Sequence, residues 1–406
     1  MRAIRFSGNM LEKIYGRIST RKIRIKKTVE KILQDVYLHR DEALLGYTKK
    51  FDGATLNLRQ IQAGEAETNA AYQNIDAEFI SSLKIAINNI TGFYKKQVKK
   101  SWKTKREDGV VFGEIIRPIE KLGVYVPGGT APLVSSVYMS VLPAKVAGVD
   151  EIYLCTPPNK QGEINPYILA VANMLEVNAV FKIGGAQAIA GMAFGTKIVP
   201  KVDKIVGPGN EYVTEAKRQV FGYCDIDMLA GPSEVVVIAN NFANPDYVIA
   251  DLQAQSEHSM GISILITTSK KLARIVRKKV DSGYLIMVKN LEQAAVVANK
   301  IAPEHLELIV KQPNKVLKNI KNAGAVFIGP HSPVVIGDYI AGPSHVLPTS
   351  GTARFFSGLG VDSFLKSTHL IDYSKKALER VKPAVEKIAE IEGMKKHIDS
   401  LKARFV

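Results

Sequence analysis

Residue types that bind divalent metals or transfer protons recur through the second half of the chain. Gln255 and His258 lie three residues apart at the end of a predicted helix over residues 245–258, and that spacing points both side chains to one helix face. Further candidates are Glu304 with His305, Asp338, His345 and His397. Because these residues are far apart in the chain, we expect an active site assembled from distant segments.

Glu304 and His305 form an adjacent acid–base pair. A histidine with a pKa near neutrality can serve as a base, and a neighbouring carboxylate can orient it or activate water. The alternative is a turn carboxylate beside a half-buried imidazole. The pair follows Ala302-Pro303 at the entry to a predicted strand, whereas doubly wound folds usually bind ligands at the opposite, carboxyl ends of their strands. Position alone therefore counts slightly against a catalytic role.

The other candidates are ambiguous when each is considered singly. The Gln255 amide is a poor metal ligand, and His258 could simply cap its helix. Asp338 also fits a turn carboxylate, and His397 fits a solvated position on a terminal helix. His345 lies in a Gly-, Pro- and Ser-rich stretch that is too irregular to be core, and long structured loops of this kind are typically functional. As a group, these residues indicate metal binding or proton transfer more strongly than any one of them does.

The elements that must position these residues alternate as strand, glycine turn and helix after Pro118, which is typical of βαβ units in parallel sheets. The predicted strands form two series, separated near Gly231-Pro-Ser-Glu234: 123–126, 151–155, 179–183 and 204–206, then 234–238, 263–266, 285–288, 305–309 and 325–328. We therefore predict an α/β fold with two doubly wound, Rossmann-like parallel-sheet domains and small helical N- and C-terminal segments. The C-terminal segment is predicted as charged helix from Asp362 onward.

Three glycine turns at strand ends of the first series are candidates for a phosphate-binding edge: Gly128-Gly129, Gly184-Gly185 and Gly207-Pro-Gly209. Such turns bring backbone N–H groups and a helix N-terminus against a pyrophosphate. No Gly-x-Gly-x-x-Gly follows a strand, and each turn could equally be a tight connection between elements. Three together in one domain favour a ligand-bearing edge.

Composition argues against several classes of protein. With 406 residues, 46% of them hydrophobic and 23% charged, the chain is long enough for two cores and is neither disordered nor collagen-like. The net charge of +16 comes without interleaved aromatic residues or a zinc-finger pattern, which disfavours nucleic-acid binding. Cys155 and Cys224 are the two cysteines, as expected in a reducing cytoplasm, and no segment of the sequence fits a membrane span.

Eight motifs, ordered along nearly the whole chain, resemble those of the histidinol dehydrogenase family. They run from about residue 20 to His397 and comprise Gly123-Val-Tyr-Val-Pro-Gly-Gly129, Gly184-Gly-Ala-Gln-Ala-Ile189, Gly207-Pro-Gly-Asn210, Ala230-Gly-Pro-Ser-Glu234, Gln255-Ser-Glu-His258, Ala302-Pro-Glu-His-Leu306, His345-Val-Leu-Pro-Thr349 and Glu392-Gly-Met-Lys-Lys-His397. Eight ordered motifs make coincidence implausible.

This resemblance implies a zinc-dependent, NAD-linked enzyme of histidine biosynthesis. Such an enzyme oxidises L-histidinol through L-histidinal to L-histidine and reduces two NAD molecules. Carried over from the family, His305 is the general base and Glu304 is the carboxylate that activates water. The implied zinc ligands are Gln255, His258, Asp338 and His397, the last of them supplied by the partner subunit of a homodimer with shared active sites.

The same resemblance assigns the remaining contacts and the domains. Substrate contacts are the four zinc ligands with Ser233, His305 and Glu392, and NAD contacts are Tyr125, Gln187 and Asn210. The expected domains are an N-terminal helical segment (1–21), a metal- and substrate-binding α/β domain (22–124 and 235–360), an NAD-binding α/β domain (125–234) and a C-terminal helical domain exchanged with the partner (361–406).

Two rival functions remain from the residues alone. One is a zinc hydrolase in which Glu304 activates water and the sheet carries no dinucleotide. The other is a basic, non-enzymatic nucleic-acid-binding protein, which would bind DNA in a salt-sensitive way.

Overall fold

Strand and helix alternate along the chain, as the βαβ rhythm predicts. The structure, a computed structural model, describes residues 1–5, 10–15, 20–128, 132–258 and 260–405. Its strands are β1 Arg2–Ile4, β2 Trp102–Lys105, β3 Val111–Pro118, β4 Lys121–Tyr125, β5 Glu151–Thr156, β6 Ala179–Lys182, β7 Lys204–Val206, β8 Asp225–Ile226, β9 Glu234–Ala239, β10 Ile262–Thr267, β11 Tyr284–Met287, β12 His305–Ile309, β13 Ala325–Ile328 and β14 Leu365–Asp372.

The α-helices of these residues are α1 Met10–Tyr15, α2 Thr20–Phe51, α3 Glu65–Gln73, α4 Ala77–Tyr94, α5 Val134–Ala147, α6 Pro166–Met174, α7 Gly185–Phe194, α8 Glu211–Val220, α9 Pro245–Ala254, α10 Lys270–Lys279, α11 Leu291–Ile301, α12 Pro313–Leu317, α13 Val334–Tyr339, α14 Lys375–Ile391 and α15 Lys395–Lys402. None of these described helices is both long enough and apolar enough to cross a membrane.

Two parallel sheets make up the first of two structural units, which comprises Met1–Gln97 and Ile119–Phe364. The strand order is β6-β5-β4-β7-β8 in the first sheet and β1-β11-β10-β9-β12-β13 in the second. In each sheet the main series starts near the middle, at β4 or β9, proceeds toward one edge, and then crosses back to continue on the other side. Both sheets are therefore doubly wound, which confirms the predicted α/β fold class.

Strand β9 illustrates how the second sheet is enclosed. All six of its residues are buried, and successive side chains point to opposite faces. Val235 and Val237 enter a core cluster with residues of α9, whereas Val236 and Ile238 enter another cluster with residues of α11. Because helices cover both faces, the strands of this parallel sheet read as continuous apolar runs in the sequence.

The N-terminal segment, predicted as helical, also contains a strand. Arg2–Ile4 form β1, which pairs in parallel with β11 at one edge of the second sheet and precedes the short helix α1. Three residues are too few to display a hydrophobic period. The pairing partner, which lies far along the chain, therefore decides this conformation.

An antiparallel sheet of order β14-β3-β2 and the helices α14 and α15 form the second unit, Val98–Pro118 with Leu365–Val406. The prediction of charged helix from Asp362 onward is wrong over Leu365–Asp372, which is strand β14. Every residue of β14 pairs with one of β3, and most of its side chains are exposed. An exposed strand carries no core-facing alternation, so backbone pairing with a distant segment fixed what the local pattern did not show.

Candidate active site

The predicted catalytic residues gather at the amino-terminal edge of the second sheet, where the neighbouring strands β9 and β12 begin. Ser233 directly precedes β9, Glu304 directly precedes β12, and His305 is the first residue of β12. Helices α9 and α13 return the chain to this edge and carry Gln255 and Asp338 toward it. Doubly wound sheets usually bind ligands at the opposite edge.

The Glu304 carboxyl group is held by two donors from the start of β9. Ser233 Oγ donates to Glu304 Oε2 at 2.7 Å, and the Glu234 N–H donates to the same oxygen at 2.9 Å. Burial raises the pKa of Glu304 from its ordinary 4.5 to about 8, against the lowering effect of these two hydrogen bonds. The carboxyl group can therefore gain and lose a proton in the range where an acid–base catalyst works.

His305 is buried, and both of its ring nitrogens face oxygen atoms. Nδ1 lies 3.0 Å from the Glu234 carbonyl oxygen, and Nε2 lies 3.8 Å from Asp338 Oδ1. A carbonyl oxygen only accepts hydrogen bonds, so Nδ1 carries the ring proton and Nε2 keeps its lone pair. Burial lowers the pKa of His305, although Asp338 acts in the opposite direction. The ring is therefore a neutral base with Nε2 as its basic atom.

Gln255, His258 and Asp338 approach this edge from different segments. The prediction of a single helix through residue 258 is wrong: α9 ends at Ala254, Gln255 begins a 3₁₀ turn, and His258 has an extended backbone. Gln255 is consequently buried while His258 is exposed. The shared-face argument fails because it assumed α-helical geometry for both residues.

A cation would find suitable donors here. Asp338 offers a carboxylate oxygen and His258 a ring nitrogen; burial raises the pKa of Asp338, whereas the nearby His305 and His258 lower it. Gln255 would have to bind through its amide oxygen, because its buried and unpartnered Nε2 is a hydrogen-bond donor. Among the described residues, no three His, Cys, Asp or Glu side chains make a metal-ligating cluster. Two of the four predicted zinc ligands, His258 and Asp338, are of these residue types and lie in the first unit. Gln255 is an amide, and His397 lies in the second unit.

His345 supports the segment that carries Asp338. Its Nδ1 lies 2.9 Å from the Asp338 carbonyl oxygen, and its Nε2 lies 3.5 Å from Ser136 Oγ. Burial lowers the pKa of His345 to about 4, so the ring is neutral at physiological pH. Helix α5, which contains Ser136, also carries Tyr138, whose hydroxyl donates to the Tyr339 carbonyl oxygen at 3.0 Å. The loop histidine therefore joins α13 to α5.

The predicted NAD contacts lie at the carboxyl-terminal edge of the first sheet. Tyr125 ends β4, is buried, and accepts a hydrogen bond on its hydroxyl oxygen from the Gly185 N–H at 3.0 Å. Gln187 lies in the first turn of α7 with both amide atoms buried and unpartnered. Asn210 caps α8, because its Oδ1 accepts from the N–H groups of residues 212 and 213. The turns at Gly184-Gly185 and Gly207-Pro-Gly209 thus bring Gln187 and Asn210 to the sheet edge at which Tyr125 lies; Gly129 of the third predicted turn lies outside the described residues.

Sequence comparison identifies the relatives of this chain. The sequence model of the family described as histidinol dehydrogenase matches residues 16–405. The histidinol dehydrogenase of Caldanaerobacter subterraneus subsp. tengcongensis is 48% identical over 415 residues, which cover 98% of this chain and 96% of that protein. The chain belongs to the histidinol dehydrogenase family.

Other histidinol dehydrogenases agree with this assignment. The protein of that name from Clostridium acetobutylicum is 47% identical over 400 residues, covering 94% of this chain and 92% of that protein. A crystal structure of histidinol dehydrogenase from Elizabethkingia anophelis matches with a TM-score of 0.92 at 36% identity, covering 100% of this chain and 98% of that chain.

The predicted family and activity are thereby confirmed. Histidinol dehydrogenases are NAD-linked oxidoreductases of histidine biosynthesis and act on a small-molecule substrate. The rival prediction of a zinc hydrolase is wrong, because members of this family are oxidoreductases.

Two predicted residues of the histidinol dehydrogenase site lie in the second unit. Glu392 immediately follows α14, and His397 lies in α15. Both side chains are exposed. Their contribution to a partner subunit's site stays a prediction.

Glu234 was not among the predicted site residues, although it contacts both Glu304 and His305. Its Oε1 accepts from the N–H groups of Glu304 at 3.2 Å and Ser350 at 3.1 Å, and its carbonyl oxygen fixes His305. Burial raises the pKa of Glu234 to about 8. The available signal was an acidic residue opening the otherwise apolar run Val-Val-Val-Ile-Ala239, since a buried carboxyl group requires partners.

Glu307 is a second residue that the sequence prediction missed. It is buried, and its Oε1 accepts from the Val334 N–H at 2.9 Å. Its carboxyl group also interacts with that of Asp251, and burial raises the pKa of Glu307 to about 9. Val334 lies four residues before Asp338, and Asp251 lies four residues before Gln255. Glu307 thus connects the strand of His305 to the two segments that carry these candidate ligands.

Proposed function

We propose that L-histidinol is oxidised at the edge formed by Ser233, Glu304 and His305, first to L-histidinal and then to L-histidine, with one NAD reduced in each step. The observation that carries this proposal is the environment of His305, whose Nδ1 is held by the Glu234 carbonyl oxygen. The ring therefore presents Nε2 as a base. Burial, which lowers the pKa of His305, keeps the ring neutral and able to accept a proton.

In the first oxidation, His305 Nε2 removes the hydroxyl proton of the substrate while the carbinol carbon loses a hydride to the nicotinamide. The imidazolium that results has Asp338 Oδ1 at 3.8 Å from Nε2, and that carboxylate favours the protonated ring. A positioned general base of this kind contributes ~10²- to 10⁴-fold to the rate.

In the second oxidation, water must first add to the aldehyde, and we assign the activation of this water to Glu304. Its carboxylate takes a proton from the water as the oxygen attacks the carbonyl carbon, which yields the hydrate. His305, having released the proton of the first oxidation to solvent, then removes a hydroxyl proton from the hydrate as the second hydride leaves. Ser233 Oγ, which donates to Glu304 at 2.7 Å, keeps the carboxyl group oriented and contacts the substrate in this proposal.

In this proposal a zinc ion is held by Gln255, His258 and Asp338, together with His397 of the partner subunit. Imidazole nitrogen and carboxylate oxygen atoms suit zinc, and Gln255 would contribute its amide oxygen, a weaker ligand. When bound, the ion anchors a substrate that carries both an imidazole and an amine. The exposure of His397 and Glu392 supports their contribution to a second copy of the chain, and hence a homodimer with shared active sites.

NAD binds along the glycine turns of the first sheet in this proposal, with contacts from Tyr125, Gln187 and Asn210. The two unpartnered amide atoms of Gln187 support a bound polar group at this edge. The NAD-binding domain then comprises residues 121–234, because the predicted boundary at residue 125 would divide β4; residues 22–120 with 235–360 form the metal- and substrate-binding domain, and 361–406 the exchanged one. A cytoplasmic location and the lack of a nucleic-acid partner stay predictions.

The test is the stoichiometry of the reaction catalysed by the full-length protein. We expect two NADH per L-histidinol consumed, with loss of activity on chelation and recovery on adding zinc. His305→Asn should cut turnover by ~10²-fold or more, because it removes the base. The bound zinc and the affinity for NADH should stay unchanged in that variant.

A matched control is His39→Asn, which changes an exposed histidine of α2. This variant should keep wild-type turnover. Full activity of His305→Asn would contradict the role of the base, and a ratio of one NADH per histidinol would contradict the second oxidation.

A further inference from the structure

A buried ion pair lies directly behind the turn Gly207-Pro-Gly-Asn210 in the first sheet. Lys217 Nζ of α8 contacts Asp227 Oδ1, just after β8, and the two side chains are only 3% and 1% exposed. Side chains this deeply buried do not reach a ligand at the surface. Any part that they play in cofactor binding therefore acts through the residues that they hold.

Both members of the pair bind the backbone of one residue. Lys217 Nζ donates to the Gly207 carbonyl oxygen at 2.9 Å, and Asp227 Oδ2 accepts from the Gly207 N–H at 2.8 Å. The two peptide groups that flank the Gly207 Cα are thus each fixed by a charged partner. Charge-assisted hydrogen bonds are about twice as strong as neutral ones, so this turn is held firmly.

The Gly207 position accepts no side chain. Its φ of +117° is a conformation that other residues rarely adopt, and a Cβ atom built on it would lie 2.1 Å from the Tyr125 carbonyl oxygen. Asn210, three residues later, caps α8 with its side chain. The ion pair therefore fixes a turn that packs against the backbone of Tyr125 and ends at Asn210, and both of these residues are predicted NAD contacts.

Stability alone does not require such a pair. Removing two charges from water is costly, and well-packed apolar residues of similar size often replace a buried ion pair without loss of stability. An apolar pair could not bind the N–H and carbonyl groups of Gly207. Lys217 and Asp227 therefore do what an apolar pair cannot do: they fix the position of the peptide groups on both sides of Gly207.

We propose that Lys217 and Asp227 are positioning residues for the dinucleotide, which hold Gly207 so that the turn Gly207-Pro-Gly-Asn210 has its binding shape before the cofactor arrives. This inference rests on the proposed binding of NAD at the carboxyl-terminal edge of the first sheet. The turn is then already ordered when the protein folds. NAD binding does not have to supply the free energy of ordering it, so the affinity for NAD is higher than it would be with a flexible turn.

The decisive variant replaces both charges at once: Lys217→Met with Asp227→Leu in the full-length protein. We expect it to fold, because no buried charge is left unpaired, but with a lower unfolding temperature than the wild type, because the Gly207 N–H and carbonyl groups lose their side-chain partners. Its Kd for NADH, measured by fluorescence titration, should rise about tenfold if the binding shape of the turn falls to about one-tenth of the population. The KM for NAD should rise in parallel, whereas the KM for L-histidinol and the bound zinc should not change.

The same sheet offers a matched control. Lys204 of β7 and Asp225 of β8 form an ion pair of 2.7 Å, with side chains 9% and 52% exposed, and the contacts of this pair do not include Gly207. The double variant Lys204→Met with Asp225→Leu removes the same charges from neighbouring residues. We expect it to bind NADH with wild-type affinity.

A measurement on the wild type tests the inference without any variant. In hydrogen exchange, a peptide spanning residues 204–212 should already show a protected amide at Gly207 without cofactor. An amide that exchanges rapidly until NADH is added would overturn the inference, and so would a folded Lys217/Asp227 double variant with wild-type affinity. If the wild type itself fails to bind NADH, the proposed cofactor site falls, and the inference falls with it.

Discussion

Replacing Glu304 with glutamine tests the buried carboxyl group on which the second oxidation depends. The pKa of Glu304 rises from 4.5 to about 8 in the folded protein, chiefly through burial. The folded state therefore holds a proton that the unfolded chain releases between these two pH values. The contribution of Glu304 to the free energy of unfolding therefore falls as pH rises through this interval, by about 1.4 kcal/mol per pH unit and about 5 kcal/mol in total. The raised pKa values of Glu234 and Glu307 add a dependence of the same sign.

Glu304→Gln should remove the contribution of Glu304, so that stability falls less steeply with pH, and make the metal-free protein more stable at pH 9 by about a few kcal/mol, since a neutral amide replaces a buried carboxylate. The amide oxygen can still accept from Ser233 Oγ and the Glu234 N–H, so the fold of the edge is retained. Chemical denaturation of the metal-free protein from pH 5 to 9 measures the difference between variant and wild type. The exposed residue Glu292 supplies the control, because Glu292→Gln should leave the pH dependence intact.

The same variant separates the two chemical steps. Glutamine cannot take a proton from water, so oxidation of L-histidinal supplied directly should slow by ~10²- to 10⁴-fold, while oxidation of L-histidinol to the aldehyde slows much less. In the wild type, the rate with L-histidinal should rise with pH and reach half of its maximum near pH 8, as Glu304 ionises. Equal slowing of both steps would refute water activation by Glu304. An unchanged slope of stability against pH would refute the raised pKa.

Three further substitutions have defined outcomes. Gly207→Ala forces a Cβ to 2.1 Å from the Tyr125 carbonyl oxygen, so thermal unfolding should show a loss of at least about 2 kcal/mol, and NADH binding should weaken. Unchanged stability would contradict this close approach. Glu307→Ala leaves the Val334 N–H without its acceptor and should weaken zinc binding ~10- to 100-fold in a chelator competition, whereas Glu307→Gln should retain most of the affinity. Equal affinity of the two variants would argue against a supporting role for this carboxyl group. His258→Asn should lose most bound zinc in metal analysis but keep NADH binding, and full zinc content would remove His258 from the ligand set.

The local sequence pattern was enough to predict most of the strands of the two parallel sheets. Apolar runs such as Val235–Ala239, followed by helical patterns, indicated doubly wound sheets, because burial on both faces leaves a continuous signal in the sequence. Strand β14 gave no such signal, since its side chains are mostly exposed and its hydrogen bonds go to β3. The C-terminal end of α9 was also mispredicted. Helical spacing continues past Ala254, but the backbone turns there into a 3₁₀ turn that leads toward β10.

The sequence by itself determined the family, the α/β class and the identity of most candidate catalytic residues, because these depend on residue types and their order. Tertiary structure alone decided how those residues behave. Burial raises the pKa of Glu304, and the Glu234 carbonyl oxygen sets the tautomer of His305. The hydrogen bonds from Lys217 to Gly207 and from Gly207 to Asp227 likewise join atoms of different segments. Electrostatic and hydrogen-bond energies depend on distance in space, which only the folded chain sets.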